Sequence, residues 1–518
     1  MKVKTISRSA ASTERECIGD QRLQFRNLDP TYHPFHKARE YTRAVQSAKL
    51  DRMFAKPFVG ALEGGHSDGV TQTAIHRDNL VQFVSGSVDG VVKVWDLASR
   101  VCVTTYLKAH SGVVSGLALC NYSQMGTSMS AAAGDAPLQA QCVLSCGEDG
   151  YIRQWRLAVD TTNTGLADRR YLPTHRSSLK NDKFKDAASF GSKASLISQA
   201  PDAEDLGLIN TWRHPNNKVG GSFKSLDVHW NSDEFATASD SCINIWNPSR
   251  SGPIQSFSSH EFAGDGDTVT VVRYCPSESN LLAHCSLDRG IGLHDTRTNT
   301  SLRKAILAMR ANCLEWNPME PFVFAVGNED YNAYTFDMRN LTRPTRIHKG
   351  HVGAIMSLAW SPTGQEFVTG SYDKTIRIFN SKSGTSRDLY FTKRMQRVFS
   401  VNYTADNTYI LSGSDDTNLR LWKVRASEKV GAVLAPREQR SLHYRQALLS
   451  KYKHMPEVNK IIRSGKRRGP KFIQTQRTMT ITQAEKARRK QENRVKHSKP
   501  GTVKFESERN KVVGKEVK

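Results

Sequence analysis

Histidine, serine and aspartate are the residue types of a nucleophilic triad, and this 518-residue chain carries all three in a recurring arrangement. Seven times an aspartate is followed six positions later by an aromatic residue or a histidine: Asp89/Trp95, Asp149/Trp155, Asp240/Trp246, Asp288/His294, Asp330/Phe336, Asp373/Phe379 and Asp416/Trp422. An active site is a single constellation, so recurrence in register points to a structural hydrogen bond copied with a repeat, and no catalytic residue is assigned. Other chemistries lack their residues. The chain has no Gly-x-x-x-x-Gly-Lys-Ser/Thr phosphate loop and no zinc-protease helix motif. Its nine cysteines are odd in number and scattered, and the closest pair, Cys142 and Cys146, has no second Cys or His cluster at metal spacing. They read as small buried side chains in a reducing compartment, and neither a metal nor a cofactor is expected.

The elements that must position these residues are hairpins. Ser85-Gly-Ser-Val-Asp-Gly-Val-Val-Lys-Val-Trp95, Gly370-Ser-Tyr-Asp-Lys-Thr-Ile-Arg-Ile-Phe379 and Gly413-Ser-Asp-Asp-Thr-Asn-Leu-Arg-Leu-Trp422 share one shape. Each is a short strand, a tight turn built on aspartate, and a second strand that alternates apolar and polar residues. The aspartates are spaced 60, 91, 48, 42, 43 and 43 residues apart. Forty-odd residues is the length of one four-stranded propeller blade, so the expected fold is an all-β, seven-bladed propeller over residues 58–424. The two long intervals mark insertions near 121–141 and 157–221, which lack a sustained apolar period and read as surface loops. After Trp422 no good outer strand follows, whereas Phe58-Val-Gly-Ala-Leu62 offers one. That N-terminal strand is therefore expected to complete the last blade and close the ring.

Charge is distributed by segment. The chain has 74 Lys+Arg against 50 Asp+Glu, a net charge of +24. Residues 59–424 hold 36 basic and 36 acidic side chains, whereas residues 425–518 hold 26 and 8, and residues 1–58 hold 12 and 6. A neutral body with a basic N-terminal extension (1–57) and a strongly basic C-terminal arm (425–518) suggests arms for nucleic acid or an acidic partner. No stretch approaches the roughly 20 apolar residues of a membrane span, and Met1–Glu16 lacks the apolar core of a signal peptide.

Pro436 suits a first helical position, and Leu442, Leu448, Leu449, Tyr452 and Met455 follow at near-helical spacing until Pro456. This amphipathic helix is expected to dock on the propeller. Beyond it lies a basic cluster with Lys466, Arg467, Arg468 and Lys471. Thr482-Gln-Ala-Glu485 then reads as a capping box opening a helix over Lys486–Lys496, polar nearly all round. Such a helix lacks a core-facing stripe and is expected to be stable against a polyanion. Lys466, Arg467, Arg468, Lys471, Lys486, Arg488, Arg489, Lys490, Arg494 and Lys496 are the candidate RNA-binding residues. The same cluster would also serve as a nuclear import signal.

Gly65-His66, Ala109-His110, Ser259-His260 and Gly350-His351, each followed by an aspartate turn and an aromatic, resemble WD repeats. In that family His, Ser or Thr, Asp and Trp form a hydrogen-bonded relay within each blade. The resemblance implies two complete sets here, His66, Ser85, Asp89, Trp95 and His110, Ser145, Asp149, Trp155. A third set, His351, Thr369 and Asp373, ends at Phe379, and blades three, five and seven read as lacking the histidine. The flanks sharpen the resemblance. Arg26-Asn-Leu-Asp-Pro-Thr-Tyr-His-Pro-Phe35, Arg39-Glu-Tyr41, Pro436-Arg-Glu-Gln-Arg440, Tyr444 and Lys451-Tyr-Lys-His-Met-Pro-Glu-Val458 resemble the WD repeat and SOF domain-containing proteins over almost the whole chain.

That resemblance implies a non-catalytic ribosome-biogenesis factor of the nucleolus. It would belong to the small-subunit processome and the U-three small nucleolar RNP and be required for pre-rRNA processing and 18S rRNA maturation. Its partners would be pre-rRNA, small nucleolar RNP and other processome proteins, with no membrane. The alternative implied by the same family is a substrate receptor of a cullin-RING ubiquitin ligase. Its adaptor contact would fall at His294-Asp-Thr-Arg297 and Phe336-Asp-Met-Arg339, that is at Asp295, Arg297, Asp337 and Arg339. Both sequences lack the family's Trp, and Asp-x-Arg is also ordinary turn chemistry.

Overall fold

The computed structural model describes residues 30–76, 80–122, 140–157, 207–215, 221–240, 242–258, 268–298, 300–428, 430, 435–464, 470–499, 502 and 507–517. Two compact units form, one from Phe58–Val424 with Gly469–Lys518, the other from Met1–Pro57 with Arg425–Arg468.

The first unit is a seven-bladed β-propeller. Blade one is built from Val70–Ile75, Gln82–Ser87, Val92–Asp96 and Cys102–Tyr106, and blade two from Val114–Tyr122, Ala140–Gly147, Tyr151–Arg156 and Leu208–Arg213. Blades three to six run from inner strands Phe223–Val228, Val269–Tyr274, Ala311–Trp316 and Ile355–Trp360. Blade seven has Val398–Tyr403, Tyr409–Ser414 and Leu419–Lys423, and its outer strand is Phe58–Ala61, which pairs antiparallel with Leu419–Lys423. Phe58 lies edge-on to Trp422 with ring centroids 5.3 Å apart, and the Leu62 N–H donates to the Leu419 carbonyl. The ring is closed by the strand that the sequence puts first.

Adjacent blades are joined by apolar side chains and by one repeated irregularity. Trp95, Trp155, Trp246 and Trp422 are fully buried, each removing an aromatic surface whose burial contributes about 2–3 kcal/mol. In all seven inner strands the register shifts at the second residue, as between Val70 and Gln72 or Val114 and Gly116. A bulge turns that residue toward the next blade. Thr71 Oγ1 thereby donates to the Val114 carbonyl (2.6 Å), Ser115 Oγ to Phe223 (2.6 Å), and Asn312 Nδ2 to Ile355 (3.1 Å).

Two differences from the sequence expectation concern blades two and four. Leu208–Arg213, inside the stretch read as an insertion over 157–221, is the outer strand of blade two. An outer strand needs little apolar surface, and here only Trp212 is buried, so its alternation is invisible to a periodicity test. The rest of both insertions, 123–139 and 158–206, lies outside the described residues. Blade four has a fifth strand. Val513–Val517 pairs antiparallel with the long outer strand Thr300–Leu307, and Val512 and Val513 enter the apolar cluster that holds Leu307 and Leu314.

The second unit is helical. α1 (His36–Met53) packs against α2 (Pro436–Lys451) and α3 (Pro456–Ser464) through Ala44, Ala48, Leu448 and Val458. The two alanines let the helix axes approach closely. The apolar stripe of α2, expected to dock on the propeller, is covered by α1 and α3. Pro456 ends the α2 segment but also opens α3, because proline is tolerated where the first N–H has no intrahelical partner. Around this small core Lys451 Nζ and the Tyr452 hydroxyl both reach Glu40 (2.6 and 2.9 Å), Tyr41 donates to Glu457 (3.1 Å), and Arg43 donates to Tyr444 (3.3 Å). Lysine and tyrosine together hold the Glu40 carboxyl below its usual range.

Within the propeller unit, α4 (Lys471–His497) is one continuous helix of 27 residues, about 40 Å long. The capping box expected at Thr482–Glu485 does not form. Thr482 donates to the Thr478 carbonyl (2.7 Å), as Thr475 does to Lys471 (3.0 Å), so these hydroxyls are absorbed inside the helix. No described helix is long and apolar enough to cross a membrane.

Candidate nucleic-acid interface

The relay residues show what the repeated histidines do. In blade two Trp155 Nε1 donates to Ser145 Oγ (2.9 Å), Ser145 lies 2.8 Å from His110 Nε2, and His110 Nδ1 lies 3.0 Å from Asp149. A carboxylate only accepts, so the imidazole proton sits on Nδ1 and the serine hydroxyl donates to Nε2. The chain of donors runs one way, Trp to Ser to His to Asp. Burial pushes Asp149 upward, but the His110 bond and Arg153 prevail and hold it at about 2. The backbone N–H of His110 also binds the Gly90 carbonyl of blade one, and that of His66 binds the Thr417 carbonyl of blade seven, so these two relays staple neighbouring blades.

Blade one differs. Trp95 and His66 both bond Ser85 (2.7 Å each), but Asp89 accepts from Ser67 and from the Val91 N–H, and His66 Nδ1 has no partner among the described residues. In blade six His351 bridges Asp373 (2.9 Å) and Thr369 (2.6 Å), and Phe379 packs beside it without a hydrogen bond. Asp373, fully enclosed, is held at about 2 by His351 and Arg377 against its own burial.

Sequence reading misses two positions. Blade three has its histidine: the His214 N–H binds the Gly150 carbonyl as His110 binds Gly90, and its ring packs on Phe223. The insertion before it hides the register, although Trp246 still bonds Thr237 as a relay would (2.8 Å). In blade four a histidine pair replaces serine and tryptophan, with His294 Nε2 2.9 Å from His284 Nδ1. A histidine at the tryptophan position is the signal for this swap. His260 lies outside the described residues.

These groups are buried, and most of their hydrogen bonds are made within the blades. A cavity of about 570 Å³ opens on the ring axis, lined by residues including Asp227, Trp230, Arg273, Glu315 and Asn402. Its polar groups bridge blades: Asp227 takes Arg273 and the Tyr274 N–H, Glu315 accepts the Trp360 N–H, and Asn402 donates to Thr73. The Asp-x-Arg pairs are local forks. Arg297 embraces Asp295 (3.0 and 3.2 Å) and Arg339 embraces Asp337 (2.8 and 3.0 Å), with Arg339 also over the Phe322 ring.

The basic residues lie on α4. Lys471, Lys486, Arg488, Arg489, Lys490, Arg494 and Lys496 are all exposed, while Lys466, Arg467 and Arg468 fall outside the described residues. By the 100° helical step, Lys471, Lys486, Arg489, Lys490, Arg494 and Lys496 occupy a sector of about 160°. The opposite side carries Ile473, which is buried, and Arg477, Gln491 and Val495, which are half-buried. Arg488 stands apart on that flank, paired with Glu492 (3.4 Å). Burial lowers the Arg477 guanidinium, whose charge acts on His351 and Arg377 of blade six. At the far end the chain returns as the fifth strand of blade four, with Lys349 and Glu508 paired on the way.

Fold and flanks together define a WD-repeat propeller with a Sof1-type tail. A Sof1-like domain model matches residues 424–513, and a WD domain, G-beta repeat model matches 58–96, 100–156, 342–380 and 391–423. The chain is 39% identical over 519 residues to DDB1- and CUL4-associated factor 13 of Danio rerio, with all of both chains covered. It is 38% identical to the Homo sapiens protein of that name, over 99% of each. To Protein SOF1 of Saccharomyces cerevisiae it is 38% identical over 464 residues, 89% of this chain and 85% of the other. The chain belongs to the family of WD repeat and SOF domain-containing proteins.

Proposed function

We propose that this chain is a non-catalytic assembly factor of ribosome biogenesis, a nucleolar component of the small-subunit processome that serves pre-rRNA processing and 18S rRNA maturation. The propeller holds partner proteins, and the C-terminal arm binds pre-rRNA or small nucleolar RNA through phosphates. Membership of the family supports the role. The observation that carries it is the carboxylate-free basic sector of α4, presented on a propeller whose relay residues are engaged with one another. The test is crosslinking in cells by ultraviolet light, followed by sequencing of bound RNA, for the full chain and for one ending at Ser464. Pre-ribosomal spacer or small nucleolar RNA on the first and not the second is the expected result. Background RNA on both would remove the proposal.

A second reading, substrate receptor of a cullin-RING ligase, is favoured by the name DDB1- and CUL4-associated factor 13 that relatives carry. Arg297 and Arg339, with side chains 70% and 64% exposed, would make the adaptor contact. Changing both to Ala should then abolish co-purification of the adaptor. This reading ranks second because it leaves the basic arm without a role.

A further inference from the structure

We infer that the outward sector of α4 is a seat for double-helical RNA, held through its phosphates, and not for single-stranded RNA. The inference rests on the RNA reading of the arm and names the class of RNA.

Three observations carry it. First, the sector carries no carboxylate, and its cations are concentrated between Lys486 and Lys496. Lys486, Arg489, Lys490, Arg494 and Lys496 are exposed, and the acidic residues of the helix, Glu485 and Glu492, lie outside the sector, Glu492 already paired with Arg488. Such a face gains affinity by releasing counterions from a polyanion. Second, no Phe, Tyr or Trp occurs between Ile473 and Lys499. Single-stranded RNA is gripped mainly by stacking its bases on aromatic rings, and the segment Ile473–His497, which holds the run of cations from Lys486 to Lys496, has no ring to offer beyond His497. Third, the helix is seated along its inner side. Ile473 is 1% exposed, and Arg477, Gln491 and Val495 on the same side are half-buried. Lys486, Lys490 and Arg494 therefore stand in a row, about 6 Å apart along the axis by the rise of four residues. A fixed row of cations complements a fixed row of phosphates, which a duplex supplies at no ordering cost and a flexible strand does not.

The test is fluorescence anisotropy of the full chain with a labelled 20-base-pair RNA duplex and with one of its strands made unable to pair. The duplex should bind at least about tenfold more tightly, and a plot of log K against log salt should have a slope of about −4.5 if five phosphates are contacted. The combined change Lys486→Gln, Arg489→Gln, Lys490→Gln, Arg494→Gln should abolish the duplex preference and flatten the slope by about 3 to 4. Lys382→Gln, at an exposed turn of the propeller, should leave both unchanged. Equal or tighter binding of the single strand, or a fourfold variant that still prefers duplex, overturns the inference while the RNA reading stands. If neither RNA binds at low salt, the RNA reading of the arm falls with it. The substituted side chains are exposed, and an unchanged circular dichroism spectrum establishes that the variant is folded.

Discussion

At the scale of single residues, the propeller stores its histidines neutral. Burial pushes His66, His294 and His348 down to about 4, well below the ordinary 6.5. The unfolded chain takes up these protons near pH 6.5, whereas the folded chain refuses them until about pH 4. Their contribution to stability is therefore complete above 6.5 and is lost as pH falls from 6.5 toward 4, at on the order of 3 kcal/mol per ring for a shift of this size. Asp149 and Asp373, held at about 2, behave differently, because their contribution is lost only below the ordinary carboxylate value. Urea midpoints measured from pH 7.5 to 4.5 should hold down to about pH 6.5 and fall below it, and a flat profile would show that the rings are not buried neutral. A second expectation concerns Ser145, which connects Trp155 to His110. Ser145→Ala strands two buried polar groups and should cost about 2–4 kcal/mol, read from the same midpoint at pH 7.5. The relay was legible in sequence where it is regular. It was not where a long insertion hides the register of His214, nor where His284 and His294 replace serine and tryptophan, so that blade four keeps the backbone geometry without the residue types a motif reports.

Elements show the same division. The hairpins were readable because the aspartate turn and the following aromatic repeat. The family model for WD repeats matches four stretches, yet the four-stranded sheet persists in the blades between them. Closure of the ring by Phe58–Ala61 was readable too, because no outer strand follows Trp422; what remained hidden was the pairing made by the flanks. The α1 contact surface is Ala44 and Ala48, which carry no amphipathic signal, and α4 gave no periodicity because most of it faces water. The flank residues that carried the family resemblance, among them Glu40, Tyr41, Tyr444, Lys451 and Tyr452, are those that touch across the helical unit. Two expectations follow for elements. Deleting residues 512–518 uncovers the outer edge of blade four, so hydrogen exchange in Thr300–Leu307 should speed up while the other blades keep their protection. Ending the chain at Arg425 removes α2 and α3 and leaves α1 without its core. Helical circular dichroism should then fall by more than the deleted residues account for, and proteolysis should appear within 36–53.

For the whole molecule, charge is divided between a neutral ring whose polar groups are spent on joining blades and a +18 arm whose described cations are mostly exposed. The closure of the ring adds a constraint of a different kind, in time. Phe58–Ala61 is made first, and its partner Leu419–Lys423 is the last strand of the seven repeated blades. With roughly 360 residues between them, synthesis at the usual 5–20 residues per second separates their emergence by on the order of 20 to 70 s. During that interval the early strand has no partner, and each new blade presents an open edge. Arresting synthesis before and after Lys423 has cleared the ribosome, and comparing protease resistance of the nascent chains, would reveal the step; equal resistance in both would rule it out. A ring sealed by its own first strand completes itself only when its last blade is made, so the nascent chain must be shielded until then.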